Sequence, residues 1–153
     1  LDGVFSDEHG DYGAGSYLRN PPGSGHSPFS RDGCTLLVKL DQFDPEDRAT
    51  VRIDTTRTPW LPGQGGLQVM PLHDFRGEHV ALVHWPRGER FQPHTHFGGE
   101  EIYVLSGEFA DEQGRYAPGT WLRNPHLSRH HPYVDEETVI WVKVGHLPLE
   151  KAA

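Results

Sequence analysis

The chain matches itself at an offset of 104 residues, and no other feature constrains its fold as much. "LDGVFSDEHGDYGAGSYLRNPPGSGHSP" from Leu1 lies over "LSGEFADEQGRYAPGTWLRNPHLSRHHP" from Leu105 without a gap. Identical pairs include Gly3 and Gly107, Phe5 and Phe109, Asp7 and Asp111, Glu8 and Glu112, and Tyr12 and Tyr116. Leu18-Arg19-Asn20-Pro21 repeats as Leu122-Arg123-Asn124-Pro125, and His26 falls on His130. Such self-similarity means two copies of one structural unit. The copies are unequal, because the segment before Leu105 has no counterpart before Leu1. The expected organisation is therefore residues 1–40 as the second half of a first repeat, 41–65 as a linker, and 66–153 as a complete unit. A start at Leu1 rather than Met suggests a processed, trimmed or partial chain.

The repeated unit reads as strands. "LQVMPL", "HVALVHW", "EEIYVLS", "GTWLRN" and "TVIWVKV" are short, rich in β-branched and aromatic residues, and bounded by turn residues. "DEHG" and "DEQG" read as hairpin turns ending in glycine. No long helical period occurs, and 18 Gly and 13 Pro favour many tight turns. The fold class is all-β, a barrel or jelly roll. Within the linker only Val51 to Ile53 looks strand-like.

A net charge of −8 argues against nucleic acid as a partner. No apolar run is long enough to form a membrane-crossing helix. One cysteine, Cys34, excludes an internal disulfide and fits a reducing, cytoplasmic setting. It sits in the strand-like "GCTLLVKL" and is expected to be a small core residue.

The chemistry concentrates in "RFQPHTHFGGEEIYVLSG", Arg90 to Gly107. Side chains alternate faces along a strand, so His94 and His96 share a side. Glu100 keeps that parity if the chain stays extended through Gly98-Gly99. Ile102 and Val104 then point into the barrel, and Glu101 points away. Two imidazoles and a carboxylate inside an apolar barrel are costly without a compensating charge, and a divalent cation supplies one. Nitrogen and oxygen donors without thiolate suit Zn, Fe(II), Mn, Ni or Co. His126, His130 and His131 compete to be the fourth ligand. Only His130 has a histidine counterpart in the first copy, His26, and it is preferred. His26 itself has no His-x-His or Glu partners in its own copy and is expected to be a surface residue. His9, His73, His79, His84 and His146 lie outside any motif. Trp60, Trp85, Trp121 and Trp141 are expected in the core or packed on the sheets.

"GERFQPHTHFGGEEIYVLSG" resembles the first cupin motif, with Gly88, His94, His96, Glu100 and Gly107 at matching spacing. "YAPGTWLRNPHLSRHHP" resembles the second, with Pro118-Gly119 in the turn and His130 as its histidine. The long form of that second motif is similar to the cupin-like domain of ChrR-type anti-sigma factors and their bicupin relatives. The resemblance implies a jelly-roll β-barrel that holds zinc or another divalent ion through His94, His96, Glu100 and His130. ChrR also carries an N-terminal His and Cys cluster that binds zinc and sigma factor. One cysteine cannot build it, so sigma-factor binding is not expected here.

Two functions follow as expectations. One is a divalent-metal-binding cupin that serves as a sensor or regulatory domain or as a small-molecule-binding domain. The alternative is a metal-dependent dioxygenase acting on a small organic substrate. A sugar isomerase or epimerase is disfavoured by the acidic charge. A half-barrel leaves an apolar face open, so a homodimer is also expected.

Overall fold

A computed structural model describes residues 1–149, which are strands and turns without a helix. The chain divides into two compact units, Leu1–Pro59 and a second beginning at Trp60. The first contains β1 (Asp2–Asp7), β2 (Gly10–Gly13), β3 (Ser16–Arg19), β4 (Cys34–Thr35) and β5 (Val51–Asp54). β1 lies between β2 and β4, and β3 pairs with β5. Much of the segment expected to be a linker is thus built into this unit. Leu18 stands opposite Arg52 in the β3–β5 ladder. Asp47 forms a fully buried ion pair with Arg19, whose guanidinium also lies over the Phe43 ring. The two units divide between Pro59 and Trp60.

The second unit contains β6 (Leu61–Pro62), β7 (Gln68–Phe75), β8 (Glu78–Trp85), β9 (His94–Thr95) and β10 (Glu100–Ser106). It continues with β11 (Phe109–Asp111), β12 (Gly114–Tyr116), β13 (Trp121–Asn124), β14 (Arg129–His130) and β15 (Thr138–Val144). Six strands form one antiparallel sheet in the order β13-β10-β15-β8-β7-β6. Facing it are the pairs β11–β12 and β14–β9, linked through Tyr133, which bridges to both Arg90 and Ala110. This is a jelly roll, two antiparallel layers around one core. Alternation along each strand builds that core. Val83 and Trp85 from β8, Ile102 and Val104 from β10, Phe109 from β11 and Ile140 from β15 all point inward. Phe109, 1% exposed, contributes roughly 2–3 kcal/mol by burial alone.

The duplicated segments make the same local bonds. Phe5 stands opposite Tyr12, and Phe109 opposite Tyr116. Ser6 exchanges backbone hydrogen bonds with Phe29, as Ala110 does with Tyr133. Gly3 and Gly107 both have φ of +71°. A Cβ at Gly3 would lie 2.3 Å from the Gly33 carbonyl oxygen, and one at Gly107 2.2 Å from that of Glu137. Only glycine accommodates both the left-handed backbone and the close approach. The surroundings then differ. Ile140, Trp141 and Val142 lie in β15 between β10 and β8. Their counterparts Leu36, Leu37 and Val38 lie outside any strand and are exposed. Cys34 is half-buried and unpaired.

Candidate metal centre

β9 and β14 form a ladder of two residue pairs, in which His94 stands directly opposite His130. Two residues on, the His96 amide bonds the Ser128 carbonyl. Gly98 and Gly99, at φ +73° and +69°, then turn the chain from β9 into β10, which delivers Glu100 to the same point. The chain is therefore not extended through the glycines, as the parity argument assumed. A turn closed by the Gly99 amide on the His96 carbonyl carries it between the two layers. Glu100 still points inward, with Ile102 and Val104 behind it at 0% exposure. Glu101 faces the other way, where it is also buried and accepts from His146 at 2.9 Å.

One ligand atom from each of His94, His96, Glu100 and His130 lies within 4.8 Å of the other three. His96 Nε2 and His130 Nε2 are 3.0 Å apart, and Glu100 Oε2 is 3.3 Å from the first and 3.6 Å from the second. Tetrahedral coordination with bonds of 2.0–2.2 Å spaces its donors about 3.3 Å apart, so these atoms fit around one small ion. The electrostatics agree. Burial, with the neighbouring His94 and His130, lowers the pKa of His96 to about 3. Burial also lowers that of His130. Both rings are thus neutral, the form that binds a metal. Burial raises Glu100 to about 7, despite the hydrogen bond from Asn124 Nδ2 at 2.9 Å. A carboxyl group pushed up in this way, facing two nitrogen lone pairs, is the environment a cation relieves. His94 is half-buried and its Nδ1 faces the Gln92 carbonyl, leaving Nε2 for the centre.

The structure separates the three histidines that competed for the fourth position. His130 is in the cluster. His126 Nδ1 accepts the Gly98 amide at 2.9 Å, which fixes it to the turn. His131 is exposed, and its backbone amide binds Glu112. Three supporting residues were missed in the sequence. Asp111 faces His130 Nδ1 at 3.4 Å, Tyr116 donates to Asp111 at 3.0 Å, and Asn124 holds Glu100. The signal was present, since all three recur as Asp7, Tyr12 and Asn20. His26 is in turn 3.2 Å from Asp7, which accepts from Tyr12. His26 is part-exposed, and among the described residues no second group of three or more potential ligands forms.

A jelly roll with His, His, Glu and His converging inside it defines a cupin. The chain belongs to the ChrR cupin-like domain family, whose profile matches residues 1–44 and 48–148. No match was found among curated protein sequences. Among solved structures the chain is similar to the anti-sigma factor ChrR of Rhodobacter sphaeroides, crystallised with SigE. That match has 23% identity and TM-score 0.53, and covers 57% of this chain and 50% of ChrR. An RmlC-like cupin from Ralstonia eutropha matches at 22% identity and TM-score 0.52, covering 60% of this chain and 65% of the other. An acetylacetone dioxygenase from Acinetobacter johnsonii matches at 16% and 0.54, covering 74% and 80%. The chain thus spans half of ChrR and under two thirds of the Ralstonia protein, and at these identities the likeness is one of fold.

Proposed function

We propose that this chain is a divalent-metal-binding cupin with a regulatory or small-molecule-sensing role, and that zinc is its ion. The convergence of His94, His96, Glu100 and His130 around one point carries this reading. In it, three imidazoles and one carboxylate hold the ion. Asn124 orients the carboxylate, and the rings of Phe91 and Phe109 lie against His94 and His130 and keep water from the inner side. A bound divalent ion supplies Lewis acidity toward an oxygen-bearing ligand. Family membership supports the regulatory role. A cytoplasmic setting fits the unpaired Cys34. Exposed Leu36, Leu37, Val38 and Leu40 support self-association. Light scattering that shows only monomer across concentrations would remove that part.

A second reading, a dioxygenase for a small organic substrate, is favoured by the half-buried His94, which leaves the centre open on one side. The fold shared with an acetylacetone dioxygenase is compatible with it. Elemental analysis of protein purified without chelator tests both. About one zinc per chain, absent from the His94→Ala/His96→Ala double variant, is the expected result. Iron or manganese with substrate-dependent oxygen uptake would transfer the assignment to the dioxygenase. No metal in the unaltered protein would overturn both readings.

A further inference from the structure

The supporting carboxylate next to His130 does more than fill space. Asp111 Oδ1 accepts three hydrogen bonds, from the Gln113 amide at 2.8 Å, the Gly114 amide at 3.2 Å and the Tyr116 hydroxyl at 3.0 Å. These donors immobilise the carboxylate and leave Oδ2 to face His130 Nδ1 at 3.4 Å. Both side chains are about 4% exposed, so water does not compete. Facing an acceptor oxygen, the ring makes this contact a hydrogen bond only with its hydrogen on Nδ1, which leaves the lone pair on Nε2. That lone pair points at His96 Nε2 and Glu100.

We propose that Asp111 is a positioning residue that selects the ligating nitrogen of His130, holding the ring in the Nδ1–H tautomer before any metal arrives. The inference rests on the metal-binding reading above. The first unit argues that the arrangement belongs to the hairpin and does not depend on metal. There Asp7 Oδ1 accepts from the His9 amide and the Tyr12 hydroxyl, while Oδ2 faces His26 Nδ1. That device assembles where no cluster of ligands surrounds it.

Asp111→Asn separates positioning from structure. The two turn amides and the Tyr116 hydroxyl are all donors, so they retain the asparagine oxygen and turn its NH2 toward His130. The Nδ1 atom must then accept, and the proton moves to Nε2, where it blocks coordination. The same substitution at Asp7 is the internal control. Zinc affinity is measured by competition with a chromophoric chelator, and the tautomer by long-range 1H–15N correlation on metal-free protein. Expected are the Nδ1–H tautomer at His130 in the unaltered chain and Nε2–H in Asp111→Asn. Zinc affinity should fall about 10- to 100-fold, with the metal-free melting midpoint retained and Asp7→Asn without effect. The inference is overturned if Asp111→Asn binds zinc as tightly as the unaltered chain. It is also overturned if affinity falls only together with the melting midpoint while the tautomer is unchanged. If the unaltered chain binds no zinc, the proposed function fails, and the tautomer measurement still decides the role of Asp111.

Discussion

Glu100 and His96 touch in the centre, yet burial acts on them in opposite senses. The folded carboxyl holds its proton up to about pH 7, whereas the ordinary value is 4.5. Its contribution to stability is therefore complete below 4.5 and is lost as the pH rises through about 7. His96 stays neutral in the fold down to about pH 3, whereas its ordinary value is 6.5. Its contribution is complete above 6.5 and is lost as the pH falls toward 3. Metal binding requires an ionised Glu100 and a neutral His96, and only the first changes state near neutrality. Zinc binding at pH 6 should therefore release about one proton from Glu100, and near pH 8.5 almost none from it. Calorimetry in buffers of different ionisation enthalpy measures this, and equal release at both values would contradict the assignment of the carboxyl. At this scale His94, His96 and Glu100 stood out because their spacing is local, and His130 because it recurs as His26. Asp111, Tyr116 and Asn124 show in the sequence only as identities between the copies, because their roles depend on what they touch: Asp111 and Asn124 act on groups 19 and 24 residues away, and Tyr116 acts through Asp111. Nothing in their local pattern distinguishes them from turn and strand residues.

Among the elements, the apolar strands and the two hairpins were legible, and the two-residue pair β9–β14 was not. β7, β8, β10, β13 and β15 follow apolar alternation that any half-buried strand must show. β9 and β14 are two residues long and are defined only by each other. They hold two of the four candidate ligands. The glycines that frame the first motif also differ in kind. Gly88 has φ +81° with nothing near its absent Cβ, whereas Gly107 combines φ +71° with a carbonyl 2.2 Å away. Gly88→Ala should cost about 1 kcal/mol, from backbone strain alone. Gly107→Ala should cost about 3 kcal/mol or more, because β10 and β15 must separate locally to admit the methyl group. Urea unfolding of the metal-free variants measures both, and equal costs would refute the argument from close approach.

For the molecule as a whole, the repeat announced duplicated local structure but not where one unit ends. That boundary depends on which residues the polar segment after Leu40 touches, and Asp47 and β5 turn back onto the first unit. All four tryptophans, Trp60, Trp85, Trp121 and Trp141, lie in the second unit. Tryptophan fluorescence therefore reports on the unit that carries the candidate centre. Zinc at 100 times its dissociation constant should stabilise that transition by about 2.7 kcal/mol. In the His94→Ala/His96→Ala variant the shift should vanish. A shift that survives in the variant would place the binding elsewhere.

The ladder that seats His94 opposite His130 has a kinetic consequence. The ladder itself has two rungs, extended by single bonds of Phe91 to Pro132 and His96 to Ser128 on either side, and so short a latch opens locally before a domain unfolds. An ion held across such a latch leaves when it opens, so residence time is set by the fluctuation of β9 against β14 rather than by bond strength alone. Hydrogen exchange at the His96 amide, bonded to Ser128, and the zinc dissociation rate should then rise and fall together across variants of these two strands. A cupin latched in this way would be suited to exchanging its ion with its surroundings rather than storing it.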